Sequence, residues 1–97
     1  MQISDFIGKV VIEAESQKRY VLKEITSPYI AAREEQVHEN GRSGSYIWPT
    51  INGDPITTGT LVFEDLSLTE PFRKTYATYC HSRDAYWEEY GYWMRKD

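Results

Sequence analysis

Three groupings of residues have side chains that could do chemistry. Cys80 and His81 are adjacent, and a thiol beside an imidazole is the pairing of a cysteine nucleophile with its base. Neighbouring residues on a helix diverge by about 100°, however, so these two do not face each other, and a buried, inert thiol is the expected role of Cys80. His38, Cys80 and His81 are ligand types for zinc, but no Cys-x-x-Cys or His-x-x-x-His spacing groups them, and no metal is expected. Glu13 with Glu15, and Glu64 with Glu70, are carboxylate pairs of the kind that glycosidic chemistry uses; acids at strand edges are ordinary, and solvated faces explain them. The glycines of "INGD" and "ENGRSG" match no phosphate-cradling pattern and read as hairpin turns. No catalytic residue, metal or cofactor is therefore expected, and the chain reads as a non-enzyme.

What stands out instead is a surplus of rings. "YWEEYGYWM", Tyr86 to Met94, carries five aromatic residues in nine. At 100° per residue, Phe72, Tyr76, Tyr79, Arg83, Tyr86, Tyr90 and Met94 share one side of a helix, flanked by Cys80, Trp87 and Trp93. Lys74, His81, Asp84, Glu88 and Glu89 take the opposite side. That is a core stripe with one anomaly: Arg83 near its centre must be paired, stacked or open to a partner, because an unpaired buried guanidinium would cost several kcal/mol. A sheet carboxylate such as Glu24 or Glu35 is its expected partner. Tyr92 points away from the stripe, and Trp93 falls in a last turn that overhangs the domain. Tyr46 and Trp48 lie two apart on a strand, so both project from one face: core if that face is interior, and with nearby Arg42 a Tyr/Trp/Arg binding cluster if it is exterior. The expected partner-binding residues are Arg42, Tyr46, Trp48, Arg83, Tyr92 and Trp93.

The bulk properties narrow the classes. At 97 residues, 40% apolar and 27% charged, the chain is expected to form one soluble globular domain. Eleven basic against fifteen acidic residues give a net charge of -4, which lacks the basic stripe of a phosphate-neutralising protein; nucleic acid is disfavoured as a direct ligand. The acids are also too scattered for a phosphate-backbone mimic. A single cysteine rules out an internal disulfide. No window approaches the roughly 18 apolar residues of a membrane span, and "MQISDFIGK" is not built like a signal peptide, so the cytoplasm is the expected compartment. The chain opens on methionine and reads as a small standalone product.

The elements that must position these residues are legible from periodicity. Residues 1–66 read as mostly strands and 67–97 as mostly helix. "GKVVIEAES", Gly8 to Ser16, alternates like a half-buried strand, and "RYVLKEI", Arg19 to Ile25, is rich in residues that fit a pleated surface. "YIAAREEQV" follows Pro28, a wide tip spans His38 to Ser45, "YIWP" resumes a strand that Pro49 consigns to a sheet edge, and "TTGTLVFED", Thr57 to Asp65, is expected as the strongest strand. Thr69 fits a helix N-cap, with Pro71 harmless in the first turn; Ser67 with Glu70 offers an alternative capping box. A helix of about 22 residues would run about 33 Å. The expected fold is thus α+β: an antiparallel five-stranded sheet, or a small bent barrel, with one long amphipathic C-terminal helix packed on it. The short "FIGKVV" entry and the meander order are similar to those of small SH3-like barrels, a likeness of strand count rather than of motif.

With chemistry absent and rings in excess, the expected function is a protein-binding module, a small accessory or inhibitor protein that docks on and modulates a larger enzyme or assembly. A homodimer through the C-terminal helix is a further expectation. The alternative is single-stranded nucleic-acid binding, with bases stacking on loop aromatics beside Arg33, Arg42 and Arg83.

Overall fold

The computed structural model of the chain describes the backbone of residues 1–37 and 39–94 and the side chains of residues 1–37 and 39–81. Five strands form one antiparallel sheet: β1 (Val10–Glu13), β2 (Arg19–Ile25), β3 (Tyr29–Glu34), β4 (Ser45–Pro49) and β5 (Leu61–Phe63), in the order β4-β3-β2-β1-β5. A 3-10 turn (Ile3–Phe6) precedes the sheet, and a second (Leu66–Leu68) leads into the single helix α1 (Thr69–Met94). The fold is α+β, and the sheet is open rather than closed into a barrel, because β4 and β5 pair only with β3 and β1 and form its two edges.

The first four strands are a meander, as sequence adjacency favours. β2 occupies the span that its β-branched and aromatic content predicts. The neighbours are shorter than expected for local reasons. β1 ends at Glu13 because residues 14–16 turn, with Gln17 at φ 64° and its N–H bonded back to Glu13 O at 2.7 Å. β3 stops at Glu34, short of Val37. The expected strong strand from Thr57 to Asp65 shrinks to Leu61–Phe63, because Asp54 turns the preceding residues on themselves. Its Oδ1 accepts from the N–H groups of Ile56 and Thr57, both at 3.0 Å, and its Oδ2 from the Thr57 hydroxyl at 2.8 Å. Gly59 then closes the turn at φ +84°, where a Cβ is disfavoured.

Alternation places Val11, Tyr20, Leu22, Ile25, Ile30, Ala32, Leu61 and Phe63 on one face of the sheet, and all are buried. A bulge between Leu22 and Glu24 preserves that inward set along β2. Phe6, Ile56, Phe72 and Tyr76 complete the core from the 3-10 turn, the Asp54 loop and the helix. Each buried valine, leucine, isoleucine or phenylalanine among them contributes about 1.5–3 kcal/mol of burial. The opposite face carries Val10, Ile12, Val21, Ala31 and Val62, all half-buried, among charged residues.

The helix starts where expected. Asp65, not Ser67 or Thr69, supplies the cap: its Oδ1 accepts from the Ser67 N–H at 3.1 Å and from the Ser67 hydroxyl at 2.6 Å, which holds its carboxyl below the usual range. Thr69 is already helical, so the 3-10 turn runs straight into α1. The stripe is in place as far as side chains are described. Phe72 and Tyr76 are buried, Tyr79 and Cys80 pack against the core half-buried, and Lys74, Ala77 and His81 are exposed. Phe72 meets Phe6 edge-on at 5.2 Å and Phe63 at 5.5 Å, and stacks on Tyr76 at 5.4 Å. Among the described side chains, the helix is thus clamped at its start over the 3-10 turns and one end of the sheet. At 26 residues it runs about 39 Å.

Candidate functional site

The region that combines exposed apolar surface with unused backbone groups is the β4 edge. Its register on β3 pairs Ala32 with Tyr46 and Ile30 with Trp48. Tyr46 and Trp48 therefore share the face of the core, and the position of the strand at the rim, not the direction of its side chains, leaves them accessible. Trp48 is half-buried and packs on the core, while Tyr46 is 40% exposed. Both rings meet Tyr20 at 5.2 Å, with interplanar angles of 81° and 75°, and lie 6.3 Å from each other. Such edge-to-face pairs are worth about 0.5–1.5 kcal/mol each beyond area burial. Burial raises the Tyr20 hydroxyl above its ordinary titration range.

Gly44 makes this arrangement possible. A Cβ there would stand 2.8 Å from Cε2 of Tyr46 and would collide with Oε1 of Glu34. The Tyr46 hydroxyl donates to that same Glu34 oxygen at 3.3 Å, so the ring folds back over a position that has no room for a side chain. Ile47, between the two rings, points to the other face and is 66% exposed.

The backbone of β4 follows from its ladder. Glu34 N–H donates to Gly44 O at 2.8 Å and Thr50 N–H to Pro28 O at 2.9 Å, so residues 44, 46, 48 and 50 turn their amide groups toward β3. Ser45, Ile47 and Pro49 turn theirs outward. The free edge offers the N–H groups of Ser45 and Ile47 and three carbonyls, and among the described residues nothing bonds to them. No residue of β4 is charged.

The other edge is managed differently. β5 is three residues long, the outward N–H of Leu61 is taken by Pro55 O at 3.0 Å, and Glu64 and Asp65 follow directly. Short length and charge are the usual means of blunting a sheet edge. On β4 only Pro49 does so, and only at the end of the strand.

The other residues singled out in the sequence lie apart. Arg42 is exposed on the β3–β4 tip, where its N–H donates to Asn40 Oδ1 at 3.0 Å, and Arg33 is exposed on the outer face. The side chains of Arg83, Tyr92 and Trp93, like His38, lie outside the described residues. Of the carboxylates expected to meet Arg83, Glu24 accepts from the Tyr29 hydroxyl at 2.7 Å, which raises that tyrosine, and Glu35 accepts from Arg19 at 2.8 and 3.2 Å, which lowers that acid. Arg19 also pairs with Glu64, joining β1's two neighbours across the outer face. Glu13 accepts from the Ser16 hydroxyl, Glu15 lies in the turn after β1, and Glu70 pairs with Arg73 at 3.0 Å. Cys80 is half-buried against the core and His81 exposed.

Tyr76 is the most perturbed buried group. Its hydroxyl donates to Thr26 O at 2.8 Å, and burial pushes its pKa up to about 12. Thr50 Oγ1 lies near enough to bear on that titration, but it makes no hydrogen bond of regular geometry. A shallow groove of about 560 Å³ between Gln2–Ser4 and the Lys74–Tyr79 stretch of α1 holds hydroxyls and one ammonium and no paired acid and base. Among the described residues no three of His, Cys, Asp and Glu converge as metal ligands, and no helix is long and apolar enough to cross a membrane.

Comparison with protein-family models, with characterised proteins and with solved structures returns no significant match.

Ile47, 66% exposed on the outer face of β4, is not among the residues that the sequence points to as partner-binding. The available signal was an isoleucine flanked by two aromatic residues and followed by the proline that marks an edge strand.

Proposed function

We propose that this chain is a non-enzymatic protein-binding module, a small accessory or inhibitor protein that docks on a larger enzyme or assembly and modulates it. The single observation that carries the reading is the β4 edge. It combines five uncharged residues, an isoleucine 66% exposed and a tyrosine 40% exposed, with outward amides that have no partner among the described residues. Strand addition to such an edge draws affinity from main-chain hydrogen bonds and specificity from the flanking side chains. Here Tyr46 and Trp48 would line one side of the added strand and Ile47 the other.

Single-strand nucleic-acid binding gains less support. The Tyr46 and Trp48 rings already engage Tyr20, and the net charge is -4.

The test is capture from the native host with immobilised protein, the bound proteins being identified by mass spectrometry and then rebuilt as a purified pair. Wild type should bind the identified protein, and Ile47→Lys should lose binding at least tenfold while keeping its circular dichroism spectrum. Equal capture by both would remove β4 from the interface.

A further inference from the structure

We propose that the first occupant of the β4 edge is a second copy of this chain, joined by antiparallel β4–β4 pairing about a two-fold axis at Ile47. This rests on the reading of β4 as a protein-binding edge. The residues whose amides face outward are Ser45, Ile47 and Pro49. With Ile47 opposite itself, the two Ile47 residues exchange both N–H···O bonds. Each Ser45 N–H meets the carbonyl of Pro49 in the other copy, which gives four bonds in all. The donor that Pro49 lacks falls at the margin of the pairing, where water reaches the Ser45 carbonyl left over. An edge with a proline at its centre could not self-pair in this way.

The side chains are self-complementary in the same register. Tyr46 comes opposite Trp48 of the other copy, in the non-hydrogen-bonded position where side chains approach most closely, and the two-fold repeats the pair. On the outer face Ile47 lies against its own symmetry mate. No like charges meet, because β4 carries none. A foreign strand would need its own match to this aromatic–isoleucine–aromatic order, whereas a second copy supplies it by symmetry. The guarded β5 edge has no comparable surface, so pairing stops at two chains and yields one ten-stranded sheet, not a filament.

Five residues a side bury less than the roughly 1,600 Å² of a standard interface, so the dimer is weak and reversible, with a dissociation constant between about 10 µM and 1 mM. Sedimentation of the wild type over that range should show mass rising toward the dimer, and Ile47→Lys should weaken association at least tenfold. In a Cys80→Ser background, Ile47→Cys places two thiols in a pair with Cα atoms about 5.5 Å apart, within disulfide reach. Under mild oxidation it should cross-link at least tenfold faster than Glu15→Cys, which lies in the exposed turn after β1. A wild type monomeric through 1 mM, or equal cross-linking rates, overturns the proposal. So does protection of the Ser45 and Ile47 amides that arises only when an added partner is present, because the occupant is then a foreign strand. If the wild type is monomeric and Ile47→Lys still loses a captured partner, the dimer falls and the protein-binding reading stands. If the dimer depends on Ile47 and capture does not, the dimer stands and the captured partner binds away from β4.

Discussion

Replacing Phe72 with alanine tests the contact on which the architecture turns. The ring is fully buried and touches three others: Phe6 at 5.2 Å, Phe63 at 5.5 Å and Tyr76 at 5.4 Å. Core Phe→Ala changes cost about 3–5 kcal/mol, and loss of three ring pairs puts this one in the upper half, about 4–5 kcal/mol. A domain of this size has about 5–15 kcal/mol in total, so the variant keeps little in reserve. Urea unfolding followed by far-ultraviolet circular dichroism and tryptophan fluorescence should show the midpoint falling by about 1.5–4 M, and the melting temperature should drop by at least about 15 °C. Should the alanine variant not fold at all, Phe72→Leu gives a milder reading, with an expected loss of about 1–1.5 kcal/mol. A loss under about 1.5 kcal/mol for the alanine variant would refute the reasoning, because it would mean that the first turns of α1 do not sit over Phe6 and Phe63.

Three further outcomes follow from the geometry. Tyr76 is held protonated in the fold to about pH 12 but ionises near its ordinary 10.0 when unfolded, so its contribution is intact below pH 10 and is lost as pH rises toward 12. That contribution is at most about 2.7 kcal/mol, and Tyr76→Phe should flatten the alkaline limb of the stability profile. Gly44→Ala should cost about 1 kcal/mol and break the Tyr46–Glu34 hydrogen bond, seen as a changed tryptophan environment beside Tyr46; an unchanged spectrum would count against the close approach. Trp48→Ala should destabilise by about 2–3 kcal/mol through lost packing on Tyr20, whereas Ile47→Lys, on the exposed side of the same strand, should stay within about 0.5 kcal/mol of wild type in a urea melt.

How much of this was legible in the sequence depended on whether the deciding force was local. β2 was readable end to end because its β-forming residues run between two turn signals, "SQK" and "TSP". The start of α1 and its Phe72–Tyr76–Tyr79–Cys80 stripe followed from a 3.6-residue period. β5 falls short of the span that its composition predicts because Asp54 takes the amides of Ile56 and Thr57 just ahead of it. The Ile3–Phe6 turn leaves no sequence signature, since one buried phenylalanine in four residues has no period to reveal it. The facing of Tyr46 and Trp48 stayed open for a different reason: their alternation was plain, but which side is interior depends on their register with β3 and on Tyr20, a residue 26 positions away from Tyr46 in the chain.

The meeting of Phe6 with Phe63 and Phe72 also bears on how the molecule is made. Those partners leave the ribosome about 60 positions after Phe6, which at about 5–20 residues per second is a delay of several seconds. Through that interval the hairpins of β2, β3 and β4 can close on local contacts, while Phe6 and the far side of β1 stay wet and open to chaperones. The nascent chain is thus most vulnerable between the exit of Phe6 and that of Phe63 and Phe72, and a translational pause anywhere in that interval would lengthen the exposure by its full duration.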